Sequence, residues 1–177
     1  MQFVFCCDKI ISVINMKTLC FTGRRPQNLP WKFDETDSRC VELKKTLANR
    51  IDNAIADGFT HFISGMALGV DMWAAEIVIS RKRSGCNITL EAALPHPRQS
   101  AGWSFAHRKK YDAILKHCDK VTCVCEHFSY SCLMQRNCYM VDSSDKVIAV
   151  TDGFTGGSGK TALYARSKGI PVDIISI

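Results

Sequence analysis

Residues 60–76 read THFISGMALGVDMWAAE. The first five are short, apolar and rich in β-favouring side chains, which is the signal of a strand. Gly65 and Gly69 then frame a turn. From Val70 the apolar period becomes helical, with Val70, Trp73, Ala74, Ile77 and Val78 on one face. A strand that passes through a glycine turn straight into a helix is the unit from which parallel sheets are built. It also aims free backbone N–H groups and the positive end of the helix at one spot.

The same alternation extends both ways from this stretch. Upstream, Thr18–Thr22 reads as a strand entering the turn Gly23-Arg24-Arg25-Pro26. Residues Asp37–Asp57 follow as a helix with Cys40, Leu43, Leu47, Ile51 and Ala54 on one face, Asp37 as N-cap and Gly58 as C-cap. Downstream, Gly85 ends the second helix, and Ile88–Leu94 is a strand stopped by Pro95 and Pro97. A helix near Ser104–His117, a strand Val121–Cys125, a short helix near Cys132–Val141 and a strand Lys146–Val150 come next. The run DGFTGGSGKT opens a helix ending near Lys168, and Val172–Ile175 is the last strand. Strands alternating with helices imply parallel pairing through right-handed crossovers. Near-continuous apolar strands imply a sheet covered on both faces. The expected fold is α/β, a Rossmann-like three-layer sandwich with a mostly parallel sheet and helices on both faces. Residues 16–177 form one domain on this reading. Residues 1–15 read as an N-terminal extension or an added edge strand, and lack the basic region and small-residue cleavage site of a signal peptide.

The chain has 177 residues, 46% of them hydrophobic, with a formal net charge of +6. A size of this order supports a full core without staples. The positive balance favours anionic partners: nucleotides, nucleic acid or phosphometabolites. No apolar run approaches the roughly 18 residues that span a bilayer, so no membrane partner is expected. Ten cysteines occur without a single C-x-x-C. Cys118, Cys123, Cys125, Cys132 and Cys138 do not follow zinc-ligand spacing, and no metal is expected. Cys20, Cys40, Cys118, Cys123 and Cys125 fall in strands or on helix faces, where cysteine serves as a small buried hydrophobe. Reduced thiols point to a cytoplasmic protein.

Ligands of open parallel sheets sit beyond the carboxyl ends of the strands, so the residues after each strand are the candidates. After strand one, Gly23 permits close backbone approach, and Arg24 and Arg25 either fork onto an anion or are solvated turn residues. After strand two come Ser64, Gly65, Met66, Gly69 and Asp71, the last either a helix cap or an acceptor for ribose or base. After strand three, Gln99 and Trp103 supply a polar group and an aromatic wall, with Trp103 as a core residue the alternative. After strand four stand Arg136 and Asn137. After strand five, Asp152, Gly153, Gly156, Gly157, Ser158 and Thr161 form a glycine-rich helix entry suited to an anion. That run is not a Walker A loop, because the position needing the first glycine is Phe154. Lys160 either reaches phosphate or is solvated, and the five histidines share no catalytic pattern.

Five segments in order carry a family resemblance: TGRRP (22–26), SGMALGVDMWAAE (64–76), the Pro95/Gln99/Trp103 stretch, RNCYMVDSSD (136–145) and DGFTGGSGKTALYA (152–165). Together they resemble the SLOG superfamily, in its small bacterial YpsA/YoqJ-like branch. The resemblance implies a Rossmann-like domain that binds nucleotides or their derivatives, with Gly23, Arg24, Gly65, Gly69, Asp71, Gly156 and Gly157 lining the site, and self-association into a homo-oligomer. The superfamily includes LOG phosphoribohydrolases, which cut the base from nucleoside 5′-monophosphates, and the DNA-processing protein DprA. LOG enzymes carry PGGxGTxxE, whereas this chain has TGGSGKTALYA, without the proline or the glutamate. The primary expectation is therefore binding or sensing of a phosphate-bearing nucleotide derivative, with no further cofactor. The alternatives are a nucleoside-monophosphate N-glycosidase, with Asp71, Glu76 or Asp152 as its acid, and a single-stranded nucleic-acid binder.

Overall fold

The central strands are apolar on both faces, so they demand cover on both sides. The computed structural model describes residues 16–177, and the extension or edge strand read into residues 1–15 lies outside them. Six strands form one sheet: β1 (Lys17–Gly23), β2 (Phe59–Ser64), β3 (Thr89–Leu94), β4 (Lys120–Cys123), β5 (Lys146–Val150) and β6 (Val172–Ile175). Their spatial order is β4-β3-β2-β1-β5-β6. The five pairings are all parallel, so the sheet is wholly rather than mostly parallel among the described residues.

The order explains the layers. From β1 to β4 the chain steps in one direction across the sheet, then jumps back to β5 on the far side of β1. Right-handed crossovers running in opposite directions place their helices on opposite faces. Helices α1 (Ser38–Ala56), α2 (Val70–Arg83) and α3 (Phe105–Leu115) accordingly cover one face with a core containing Phe21, Phe62, Leu47, Ile51 and Val78. Helices α4 (Cys132–Asp142) and α5 (Gly156–Ser167) cover the other with Met140, Val141, Ala162 and Ala165.

Local chemistry sets the helix ends. The Asp37 side chain accepts from the Arg39 N–H at 2.8 Å and caps α1. Gly69 opens α2 at φ +91°, a conformation costly for any residue with a Cβ. Arg81, Lys82 and Arg83 lie in the last turn of α2, where positive charge suits the helix dipole. Arg81 also reaches Asp52 of α1 at 2.6 Å.

The seat of α4 is polar. Glu91 of β3 is 1% exposed. Its carboxylate accepts from Tyr139 of α4 at 2.6 Å and Thr122 of β4 at 2.7 Å, and meets His61 of β2 and Lys120 of β4 at 3.1 Å each. Burial pushes this carboxyl up, but those partners outweigh it and hold the pKa at about 2. His61 is thus a structural partner.

The edge strand departs from expectation. β4 stops at Cys123, two residues short of the expected end, and its outer residues are open to solvent. Cys20 and Cys40 are buried as expected, but Cys123 is exposed and Cys118 and Cys125 are only half-buried. A strand paired on one side alone cannot bury its residues as β1 does. No described helix is long and apolar enough to cross a membrane.

Candidate functional site

The reversal of strand order falls between β1 and β5, where Gly23 pairs with Val150 at the carboxyl ends. The loops leaving those two strands diverge to opposite faces and leave a crevice, the usual ligand position in such sheets. A cavity of about 170 Å³ occupies it. Its walls are Thr22–Arg25 and Asn28 after β1, Ala67 and Asp71 after β2, Leu133, Arg136 and Asn137 of α4, and Thr155–Ser158 entering α5.

Three arginines meet there. Arg24 forms an ion pair with Asp152 across the crevice, joining the β1 and β5 loops. Arg25 lines the wall. Arg136 is 4% exposed. Its Nη1 donates to the Gly65 carbonyl and, at 3.4 Å, to that of Ala93, and its Nε donates to Asn137 Oδ1 at 2.9 Å. Burial lowers the pKa of this guanidinium, so its charged form is under-solvated here.

Asp71, in the first turn of α2, is 6% exposed. The Ala67 N–H donates to its carboxylate at 3.4 Å. Burial raises its pKa to about 6, against the attraction of Arg136 and Arg25. Asp71 and Arg136 flank Gly65. A Cβ on Gly65 would lie 2.6 Å from Arg136 Cζ and 2.7 Å from Asp71 Oδ2, closer than side chains approach. No direct ion pair joins the two, so each charge remains poorly compensated.

The entry to α5 completes the wall. Thr155, its N-cap, makes no side-chain hydrogen bond to the helix, and the first-turn N–H groups of a helix have no intrahelical acceptor. Gly156 and Gly157 have nothing within 4 Å of where a Cβ would stand. The result is an open, uncapped helix N-terminus facing three arginines, an anion-binding arrangement by its electrostatics.

Of the candidates named from sequence, Gly23, Arg24, Arg25, Asp71, Arg136, Asn137, Gly156, Gly157 and Ser158 meet in this cavity. Others stand behind it. Ser64 Oγ donates to the Asp71 carbonyl at 2.7 Å, and Gln99 Nε2 donates to the carbonyls of Met66 at 2.7 Å and Gly65 at 3.2 Å. Met66 is fully buried at φ 55°, an uncommon conformation for a bulky residue that these bonds sustain. Thr161 accepts from Asn137 at 2.8 Å and so fixes α4 to α5. Asp152 is held by Arg24, and Gly153 turns the loop. Gly69 and Trp103 line neighbouring cavities. Lys160 is exposed and outside the wall. Glu76 also lies outside the crevice, paired with Lys110 at 2.9 Å on the outer side of α2. Thr22, Asn28, Ala67, Leu133 and Thr155 line the cavity without having been singled out. Asn28 and Thr155 were within reach of the strand-end rule. Leu133 reaches the cavity from α4, whose seating against the sheet leaves no mark in sequence.

Over residues 19–169 the sequence matches the YpsA family, described as the YspA SLOG family. The chain belongs to this SLOG family. It is 30% identical over 156 residues to a UPF0398 protein of Bacillus thuringiensis (strain Al Hakam), covering 86% of this chain and 84% of that protein. It is 31% identical over 155 residues to a UPF0398 protein of Halalkalibacterium halodurans, covering 86% and 82%. Among solved structures, this SLOG family member is similar to DNA processing protein A from Helicobacter pylori, described for its single-stranded DNA binding mode. The TM-score is 0.61 at 16% identity. The match covers 91% of this chain and 66% of that one, so this chain spans about two thirds of that protein. At that identity the likeness is one of fold, and it agrees with the Rossmann-like three-layer arrangement.

Proposed function

We propose that this SLOG protein binds a phosphate-bearing, nucleotide-derived ligand in the β1/β5 crevice. The observation that carries the reading is Arg136, a buried guanidinium in the cavity wall, opposite the uncapped N-terminus of α5. A phosphate there accepts from the α5 amides and compensates the arginines. Asp71, on the other side of Gly65, accepts from a sugar hydroxyl. Charge-assisted bonds of this kind are each worth about 1.5–3 kcal/mol. The test is thermal melting of the protein against nucleotides, dinucleotides and cyclic nucleotides. A ligand at about 100 times its Kd adds roughly 2.7 kcal/mol, a rise of several degrees. Arg24→Ala is expected to cut the rise by about half or more at the same ligand concentration. A cooperative melt that no member of the set shifts rejects the reading.

Asp71 favours a second reading, hydrolysis of the N-glycosidic bond. A carboxyl with a pKa near 6 beside the crevice suits a general acid. Incubation with nucleoside 5′-monophosphates then releases free base, and Asp71→Asn stops it. Absence of free base leaves the binding reading alone. The fold of the Helicobacter pylori protein motivates a third comparison. Binding of a single-stranded oligonucleotide that weakens steeply with salt moves nucleic acid to the front.

A further inference from the structure

Beside the crevice lies a second cavity, a trough of about 390 Å³ between the loop after β1 and the loop entering α3. Arg25 lines both and is the wall they share. The trough is aromatic. Phe33, 52% exposed, stacks on His107 with ring centroids 5.6 Å apart and an interplanar angle of 30°. Trp103 stands in the wall, fixed edge-on against Tyr111 at 5.3 Å. Arg108 donates to the Trp103 carbonyl at 3.0 Å and holds that loop. Gln27 and Ser104 add hydrogen-bonding groups.

Size gives these walls a purpose. Pockets that enclose whole small molecules run to roughly 300–1,000 Å³, and the crevice alone has about 170 Å³. It accommodates a phosphate and part of a sugar, and the rest of a nucleotide must leave it. Toward α5 and α4 the walls are the α5 entry and the buried Arg136. On the far side of Arg25 lie the aromatic faces of the trough, on which any nucleobase can stack.

We infer that the Phe33–His107–Trp103 trough is the base subsite of the ligand whose phosphate occupies the crevice. The ligand class is therefore a nucleoside phosphate rather than a sugar phosphate. This rests on the function proposed above. In this arrangement Arg25 spans the junction between phosphate and base, and His107, Gln27 and Ser104 meet the base edge.

Calorimetric titration with the four common ribonucleoside 5′-monophosphates and with ribose 5-phosphate tests it. One aromatic stack makes the best-bound monophosphate at least about fivefold tighter than ribose 5-phosphate. Phe33→Ala removes the stacking face. Gly102→Leu fills the trough from a position with nothing within 4 Å of the new Cβ. Both variants are expected to lower monophosphate affinity to that of ribose 5-phosphate. Equal affinity of the two ligand types for the unaltered protein overturns the inference. So does a loss in both variants that is the same for the two ligands, or no loss at all. Arg24→Ala separates the failures. Monophosphate binding lost in Arg24→Ala but untouched by Phe33→Ala and Gly102→Leu keeps the crevice and removes the trough. Absence of binding of all five probes to the unaltered protein overturns the inference, and the melting test against dinucleotides and cyclic nucleotides then decides whether the crevice reading survives.

Discussion

Asp71 and Arg136 stand on either side of Gly65 as opposite charges that do not pair, and both are displaced from their ordinary ionisation by burial. The cost of the carboxylate follows by linkage. Its folded pKa is about 6 and its unfolded value near 3.8. Ionised Asp71 therefore destabilises the fold by up to about 3 kcal/mol above pH 6. That penalty fades as pH falls from 6 toward 4, because the folded state then binds more protons than the unfolded one. Asp71→Asn is expected to raise the urea midpoint at pH 8 and to match the unaltered protein near pH 4. A difference independent of pH would assign Asp71 a purely steric role. Glu91 has the opposite sign. Held at about 2 against an ordinary 4.5, it contributes stability that is lost as pH drops from about 4.5 through 2, so the two windows are largely separate. The sequence placed Asp71 at a helix start beside a glycine loop, but the spacing left its cap and ligand roles equal. Only the approach of α4, from more than sixty residues away in the chain, shows that it is buried against an arginine. The same distance hid the hold of Arg136 on the Gly65 carbonyl.

The entry to α5 carries the most local of the predictions. Gly157 has free space around it and no positive φ, so a side chain fits there without strain. Gly157→Asp places a carboxylate in the first helical turn, where it stabilises the helix by about 0.3–1 kcal/mol. In the crevice the same charge repels a phosphate. The expected outcome is a higher melting temperature together with at least about tenfold weaker ligand binding, since one lost charge-assisted contact is worth 1.4 kcal/mol or more. Loss of stability would mean that the loop is not open as described. Elements of this kind were plain in the sequence: α2, β5 and β6 have the expected limits, because glycine turns and unbroken apolar runs mark them. β4 was not, because an edge strand keeps the apolar pattern of a buried one while losing its cover on one side. Cys123 looked interior for that reason and is exposed.

At the scale of the whole molecule, the place of the candidate site follows from one topological fact. The chain builds β1 to β4 in one direction and returns to β5, so the crevice between β1 and β5 opens at the only reversal of strand order among the described strands. Parallel pairing, three layers and the family were all legible in the sequence, since strand–helix alternation and five ordered motifs suffice for them. Strand order was not, because the apolar pattern of a strand does not name its neighbour. The meeting of the β1, β2, α4 and α5 residues at one place needed the structure. The net charge of +6 suits the proposed anionic ligand but does not locate its site. The direct test is an amide NMR titration with the nucleotide that gives the largest melting shift. The amides of Gly23, Arg24, Arg25, Gly156, Gly157 and Ser158 are expected to shift in saturable fashion with one Kd, while those of β4 and β6 stay in place. Perturbation centred on any other surface, with the β1 and α5 loops silent, would contradict the proposed site.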